Sequence, residues 1–179
     1  MNRTQLSEHF YWHEFLTSKV LPELRLYKPT GQEIANATRV AQVLEMARGL
    51  YGFPLRITSG GRPPTFRNSE GKNLYELLKA KGHAVSRTSQ HRNFCAADVQ
   101  FVDKGDSKLH SKRLWDVYHY MKFTESVNQM IIYTRPNGDA FFIHFSVHDF
   151  ENPEKGKKNP RLVWSKSRGF QTLEAYHGI

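Results

Sequence analysis

The sequence predicts an α+β fold in which helices flank a small antiparallel sheet. Three observations carry this expectation. A helix-period run follows a capping-box pair at Thr30 and Glu33, an Asn137-Gly138 turn joins two segments of strand composition, and two further strand-like segments precede that hairpin.

Taken in order, the opening LSEHFYWHEF stretch has no clean period, and Phe10, Trp12, Phe15 and Leu16 are expected to pin a short helical lead-in to the core. Ala37, Val40, Ala41, Leu44 and Ala47 recur at helical spacing, which gives a helix over 32–51 ending at Gly52. Segment 54–59, PLRITS, reads as a strand. Gly60, Gly61, Pro63 and Pro64 straight after it force a turn and leave Arg62 on a constrained loop. A weaker helix spans 73–81, and a strand spans 96–102. The aromatic-rich stretch 108–123 then carries Leu109, Leu114, Trp115, Tyr118 and Met121 at helical intervals. Strands at 129–133 and 140–147 flank RPNGD.

With 179 residues, 39% hydrophobic and 13% aromatic, the chain can build one packed core. The domain is expected over 1–150. Residues 151–179, rich in Lys, Arg, Pro and Gly, read as a basic tail packed on that domain or extending from it. No repeat or heptad run suggests a second unit. No apolar run reaches the length of a membrane span, and the N-terminus lacks the zones of a signal peptide. The formal charge of +9 predicts attraction to polyanions, whether nucleic acid, anionic wall polymers or lipid head groups.

One cysteine, Cys95, excludes an internal disulfide framework and a Cys-based structural zinc site, so any metal needs His and carboxylate ligands. His91 and Asp98 stand seven residues apart in SQHRNFCAADVQF, the first on a loop and the second inside a strand. His144 lies on the second strand of the hairpin. Two imidazoles and one carboxylate form a catalytic zinc set, because three protein ligands leave the fourth tetrahedral position open.

Ser89, His91, Ala96 and Asp98 match the Ser-x-His-x-x-Gly-x-Ala-x-Asp signature, and LSEHFYWHEF, ITSGGRPP and IHFSV follow the expected order around it. In these blocks the chain resembles the D-alanyl-D-alanine carboxypeptidase-like zinc peptidases, whose domain is shared with Hedgehog proteins. The likeness runs from about Leu6 to Val147. It implies a Hedgehog/DD-peptidase-like fold, one Zn2+ held by His91, Asp98 and His144, and hydrolysis of peptides that often contain D-amino acids. Two positions depart from the pattern: Phe94 replaces the signature glycine, and Phe141 stands where many members place an acidic general base.

Asp139 is the first substitute for that base by strand parity, with His148 and Asp149 as alternatives. Arg62 is a candidate to stabilise an oxyanion or hold a substrate carboxylate, and Ser89 to orient a ligand or contact substrate. Cys95 reads as a small buried filler. Three functions follow as expectations. The first is a zinc peptidase acting on peptidoglycan stem peptides or crosslinks, of phage-lysis or virion type, located in the cytoplasm or virion until released. The second is a non-catalytic module that keeps the fold and the zinc and either binds the cell wall or serves as a structural part of a virion. The third is a nucleic-acid binder through the basic tail, which no recognised motif supports. The same tail could hold anionic wall polymers.

Overall fold

The computed structural model describes residues 4–18, 22–82, 86, 89–102, 107–148 and 161–177. Helix α1 (Trp12–Phe15) is a single turn whose Trp12 and Phe15, with Phe10 and Leu16, are buried as expected. Helix α2 (Gly31–Gly49) starts where Thr30 Oγ1 accepts the Glu33 N–H and the Glu33 carboxylate accepts the Thr30 N–H at 2.8 Å. The same reciprocal pair, Asn73 with Glu76, starts helix α3 (Leu74–Ala80). Helix α4 (Ser107–Met121) and strands β1 (Leu55–Ser59), β2 (Ala96–Phe101), β3 (Gln129–Thr134) and β4 (Ala140–Ser146) fall within about two residues of their expected bounds. Gly138, at φ +86°, supplies the left-handed turn residue of the β3–β4 hairpin.

The sheet differs from the expectation in size and direction. It has six strands in the order β1-β2-β4-β3-β5-β6, and it is mixed, because β5 (Leu162–Ser165) pairs parallel to β3. Strand β6 (Gly169–Thr172) and helix α5 (Leu173–His177) complete the fold. Residues 161–177 are therefore part of the sheet layer and not a tail laid on the surface. Two four-residue strands inside a Lys- and Arg-rich segment are too short to reveal a period. Arg161 fastens them: its guanidinium donates to the carbonyls of Lys122 (2.7 Å), Val127 (2.7 Å) and Asn128 (2.8 Å), where the chain leaves α4. Lys155, Lys157 and Lys158 of the expected tail lie outside the described residues.

Strand alternation gives the sheet two unlike faces. Ile57, Val99, Ile143, Phe145, Met130, Ile132 and Val163 are buried on one face. Helices α2, through Val40, Leu44 and Ala47, and α4, through Leu114, Tyr118 and Met121, supply the other half of this core. Asp98, His144, Ile131 and Leu162 occupy the other face, which forms the floor of a cleft.

Candidate metal centre

Strand register brings the first two site residues together. Asp98 on β2 is the direct cross-strand partner of His144 on β4, so both side chains leave the open face side by side. His91 comes from a 3-10 helix (Gln90–Asn93) that folds back beside β2 and ends at Phe94, whose φ of 57° reverses the chain. Two hydrogen bonds lock this helix to the loop after β1: His91 Nδ1 lies 2.6 Å from the Gly60 carbonyl, and the Arg62 N–H donates to the His91 carbonyl at 2.7 Å. A carbonyl only accepts, so the His91 proton sits on Nδ1 and the Nε2 lone pair faces His144 and Asp98.

His91 Nε2 lies 3.2 Å from His144 Nδ1 and 3.4 Å from Asp98 Oδ1, and His144 Nδ1 lies 2.8 Å from that same oxygen. Ligands at ~2.0 to 2.1 Å from a tetrahedral ion are separated by about 3.3 Å, so the three atoms already mark out one face of such a polyhedron. They can hold a metal ion. Burial is the largest influence on His91 and pushes its pKa down, against the pull of Asp98, which keeps the ring neutral. For Asp98, burial alone would raise the pKa, but the adjacent His91 and the hydrogen bond from the His144 ring override it and hold the carboxyl well below the usual range. A neutral imidazole beside an ionised carboxylate is the state that metal ligation requires.

Arg62 reaches the same cleft, of about 690 Å³, with Nη2 2.9 Å from Ser59 Oγ and 4.0 Å from Asp98 Oδ2. Ser89 lines the cleft and does not cap the 3-10 helix through its side chain. Gly60 and Gly61 are fixed by close packing. A Cβ on Gly60 would lie 2.2 Å from the Phe15 carbonyl oxygen, and one on Gly61 would fall inside the Phe94 ring. Cys95 is fully buried against the 3-10 helix, the filler role expected of it.

The structure does not bring Asp139 or His148 to the centre. The Asp139 carboxylate accepts from Asn137 Nδ2 at 2.7 Å and belongs to the turn, with four strand steps, ~13 Å, between Ala140 and His144. The parity that pointed to Asp139 is broken by a register shift at Tyr133 and Thr134, where Phe141 is the extra residue of β4. His148 lines a separate cavity of about 370 Å³ with Arg39, Val43 and Met46. Asp149 and His83 lie outside the described residues. Among the described residues, Asp98 is the only carboxylate lining the cleft.

Two contributors escaped the sequence reading. The Gly60 carbonyl that orients His91 has no side-chain signature at all. Tyr133 lines the cleft, and burial first, then the charge of Asp98, pushes its phenol up to about 12, so it stays a hydroxyl donor at neutral pH. Its position two residues from Ile131 on one strand face was the available signal. No family model, curated protein or solved structure matches the chain.

Proposed function

We propose that the chain is a zinc-dependent peptidase of the DD-carboxypeptidase-like type that hydrolyses peptide bonds in peptidoglycan stem peptides or crosslinks. The observation that carries this reading is the convergence of His91 Nε2, His144 Nδ1 and Asp98 Oδ1 on the floor of an open cleft, with Arg62 on its wall. Zinc suits two imidazoles and a carboxylate, and when bound it polarises a carbonyl and makes water nucleophilic near neutral pH. Gly60 fixes the His91 tautomer, and Asp98 supplies the negative charge of the ligand set. Arg62 donates to a developing oxyanion or to a substrate carboxylate, and the Tyr133 hydroxyl is a second donor in the same cleft.

The resemblance in the signature blocks supports the substrate class, and its Phe94 departure has a physical counterpart. The Phe94 ring fills the space over Gly61, so the loop after β1 and the turn after His91 close on one another. Wall polymers are the anionic partners that fit a net charge of +9, with nucleic acid the less favoured choice and release to the wall following residence in the cytoplasm or virion. No helix among the described residues is long and apolar enough to cross a membrane.

A second reading, zinc binding without hydrolysis, is favoured by one observation: Phe141 stands at the place of the general base and no second carboxylate lines the cleft among the described residues. Zinc-loaded protein incubated with purified peptidoglycan, with products read by mass, separates the two. New amine and carboxyl ends that disappear with chelator support the peptidase. Full zinc occupancy with no new ends leaves the binding module, and failure to retain zinc overturns both.

A further inference from the structure

The open face of the sheet carries more than metal ligands. Across the strands through His144, the register places Asp98, His144, Ile131 and Leu162 in one row. The next row toward the β3–β4 turn holds Phe142, Tyr133, Trp164 and Phe170. Neighbouring strands lie ~4.8 Å apart, so an aliphatic floor begins one strand from His144 and runs a further strand to Leu162. Along its side, the Tyr133 ring stacks on Phe142 at 4.1 Å and meets Trp164 at 5.3 Å and the edge of Phe170 at 6.5 Å. Phe170, on the outermost strand and 59% exposed, lines the same cleft as the three ligands.

The walls of this cleft are chemically unlike. Arg62, Ser89 and Gln90 form a polar wall on the β1 side, whereas Ile131, Leu162 and Phe170 form an apolar one. Sugar sites set polar side chains around an aromatic face, but here the floor is aliphatic and Gln129 is the one amide beside it. An alanine methyl next to the scissile carbonyl would leave most of this floor bare. A long unbranched side chain covers Ile131 and Leu162 with its methylenes and brings a terminal ammonium to the ring faces, where cation–π attraction holds it without a carboxylate partner.

We propose that Ile131, Leu162 and Phe170 form the side-chain pocket for the residue on the acyl side of the scissile bond, and that this residue is of lysine type. Arg62 and the polar wall then take the leaving side. This rests on the peptidase reading above, and the test uses binding instead of turnover. Cobalt(II)-substituted protein reports hydroxamate binding through its visible bands, and the probes are the N-acetyl hydroxamates of alanine, norleucine and lysine. Norleucine and lysine probes should bind about tenfold or more tightly than the alanine probe, from the methylenes buried. Phe170→Ala and Leu162→Ser should each cut that advantage to within about threefold and leave the alanine probe unchanged. Equal affinity of all three probes overturns the pocket, as does displacement of the lysine probe by an N-acetylglucosamine oligomer. Tight norleucine with weak lysine overturns the lysine-type assignment. Failure of the protein to bind cobalt, or of every hydroxamate to perturb its bands, overturns the metal centre beneath it.

Discussion

A Cβ on Gly61 would sit 1.8 Å from Cε1 of Phe94, so the loop after β1 and the turn after His91 are shaped to one another. Phe94 is itself held between Trp12, at 4.7 Å, and Tyr27, at 6.1 Å, and adopts a φ of 57°. Gly61→Ala should destabilise the fold by about 1 to 3 kcal/mol through overpacking, and Phe94→Ala by about 3 to 5 kcal/mol through the cavity it leaves. The double variant should cost clearly less than the sum, because removing the ring makes room for the methyl. Urea unfolding of the four proteins measures this, and additive effects would dissolve the link between the two loops.

His91→Ala, Asp98→Ala and His144→Ala should each abolish retention of one equivalent of zinc after gel filtration, measured by atomic absorption. Added zinc should raise the melting temperature of the parent protein and leave the three variants unmoved, since an ion at 100 times its Kd stabilises by ~2.7 kcal/mol. Stoichiometric zinc in all three variants would falsify the ligand set.

Arg62→Ala should keep the zinc and lower hydrolysis roughly 10²-fold, the scale of one lost transition-state donor. Asp139→Asn should change neither zinc content nor rate, because that carboxylate is engaged by Asn137 in the turn. A rate that collapses in Asp139→Asn and survives in Arg62→Ala would reverse both placements.

Arg161→Ala should destabilise the protein by about 2 kcal/mol or more, since charged hydrogen bonds to carbonyls contribute ~1.5 to 3 kcal/mol each and this side chain is only partly screened. Arg161→Lys should recover a minority of the loss, because one ammonium cannot span the carbonyls of Lys122, Val127 and Asn128 that the planar fork reaches. Hydrogen exchange should show faster exchange in β5 and β6. Unchanged exchange there would mean that Arg161 does not anchor the hairpin.

Alkali should unfold the protein in a cooperative step that begins above pH ~10. Burial raises the Tyr51 phenol to about 12 and the Tyr133 phenol to about 12, and Tyr118 is raised further for the same reason. Between the unfolded value near ~10 and these raised values the unfolded chain has lost protons that the folded chain retains, so stability falls as pH rises. Phenolate absorbance at these tyrosines should appear together with loss of the circular-dichroism signal. A smooth titration of every tyrosine near pH ~10 in a folded protein would contradict it.

By itself the sequence determined the elements whose physics is local. The Thr30–Glu33 box and the recurring apolar residues after it set α2, Asn137-Gly138 set the hairpin, and the residue types of SQHRNFCAADVQF and FFIHFSV named all three candidate ligands that converge. Only the tertiary structure decided which neighbours those ligands have. Strand parity alone places Asp139 near the His91, Asp98 and His144 cluster, and the extra residue at Phe141 moves it away. Strand β5 could not be read because a parallel partner is chosen by the sheet edge and by the Arg161 anchor, not by a period within four residues. The Gly60 carbonyl, the Tyr133 hydroxyl and the Ile131–Leu162 floor entered the site through cross-strand register and loop packing. These couple residues far apart in the chain, so no local pattern in the sequence records them.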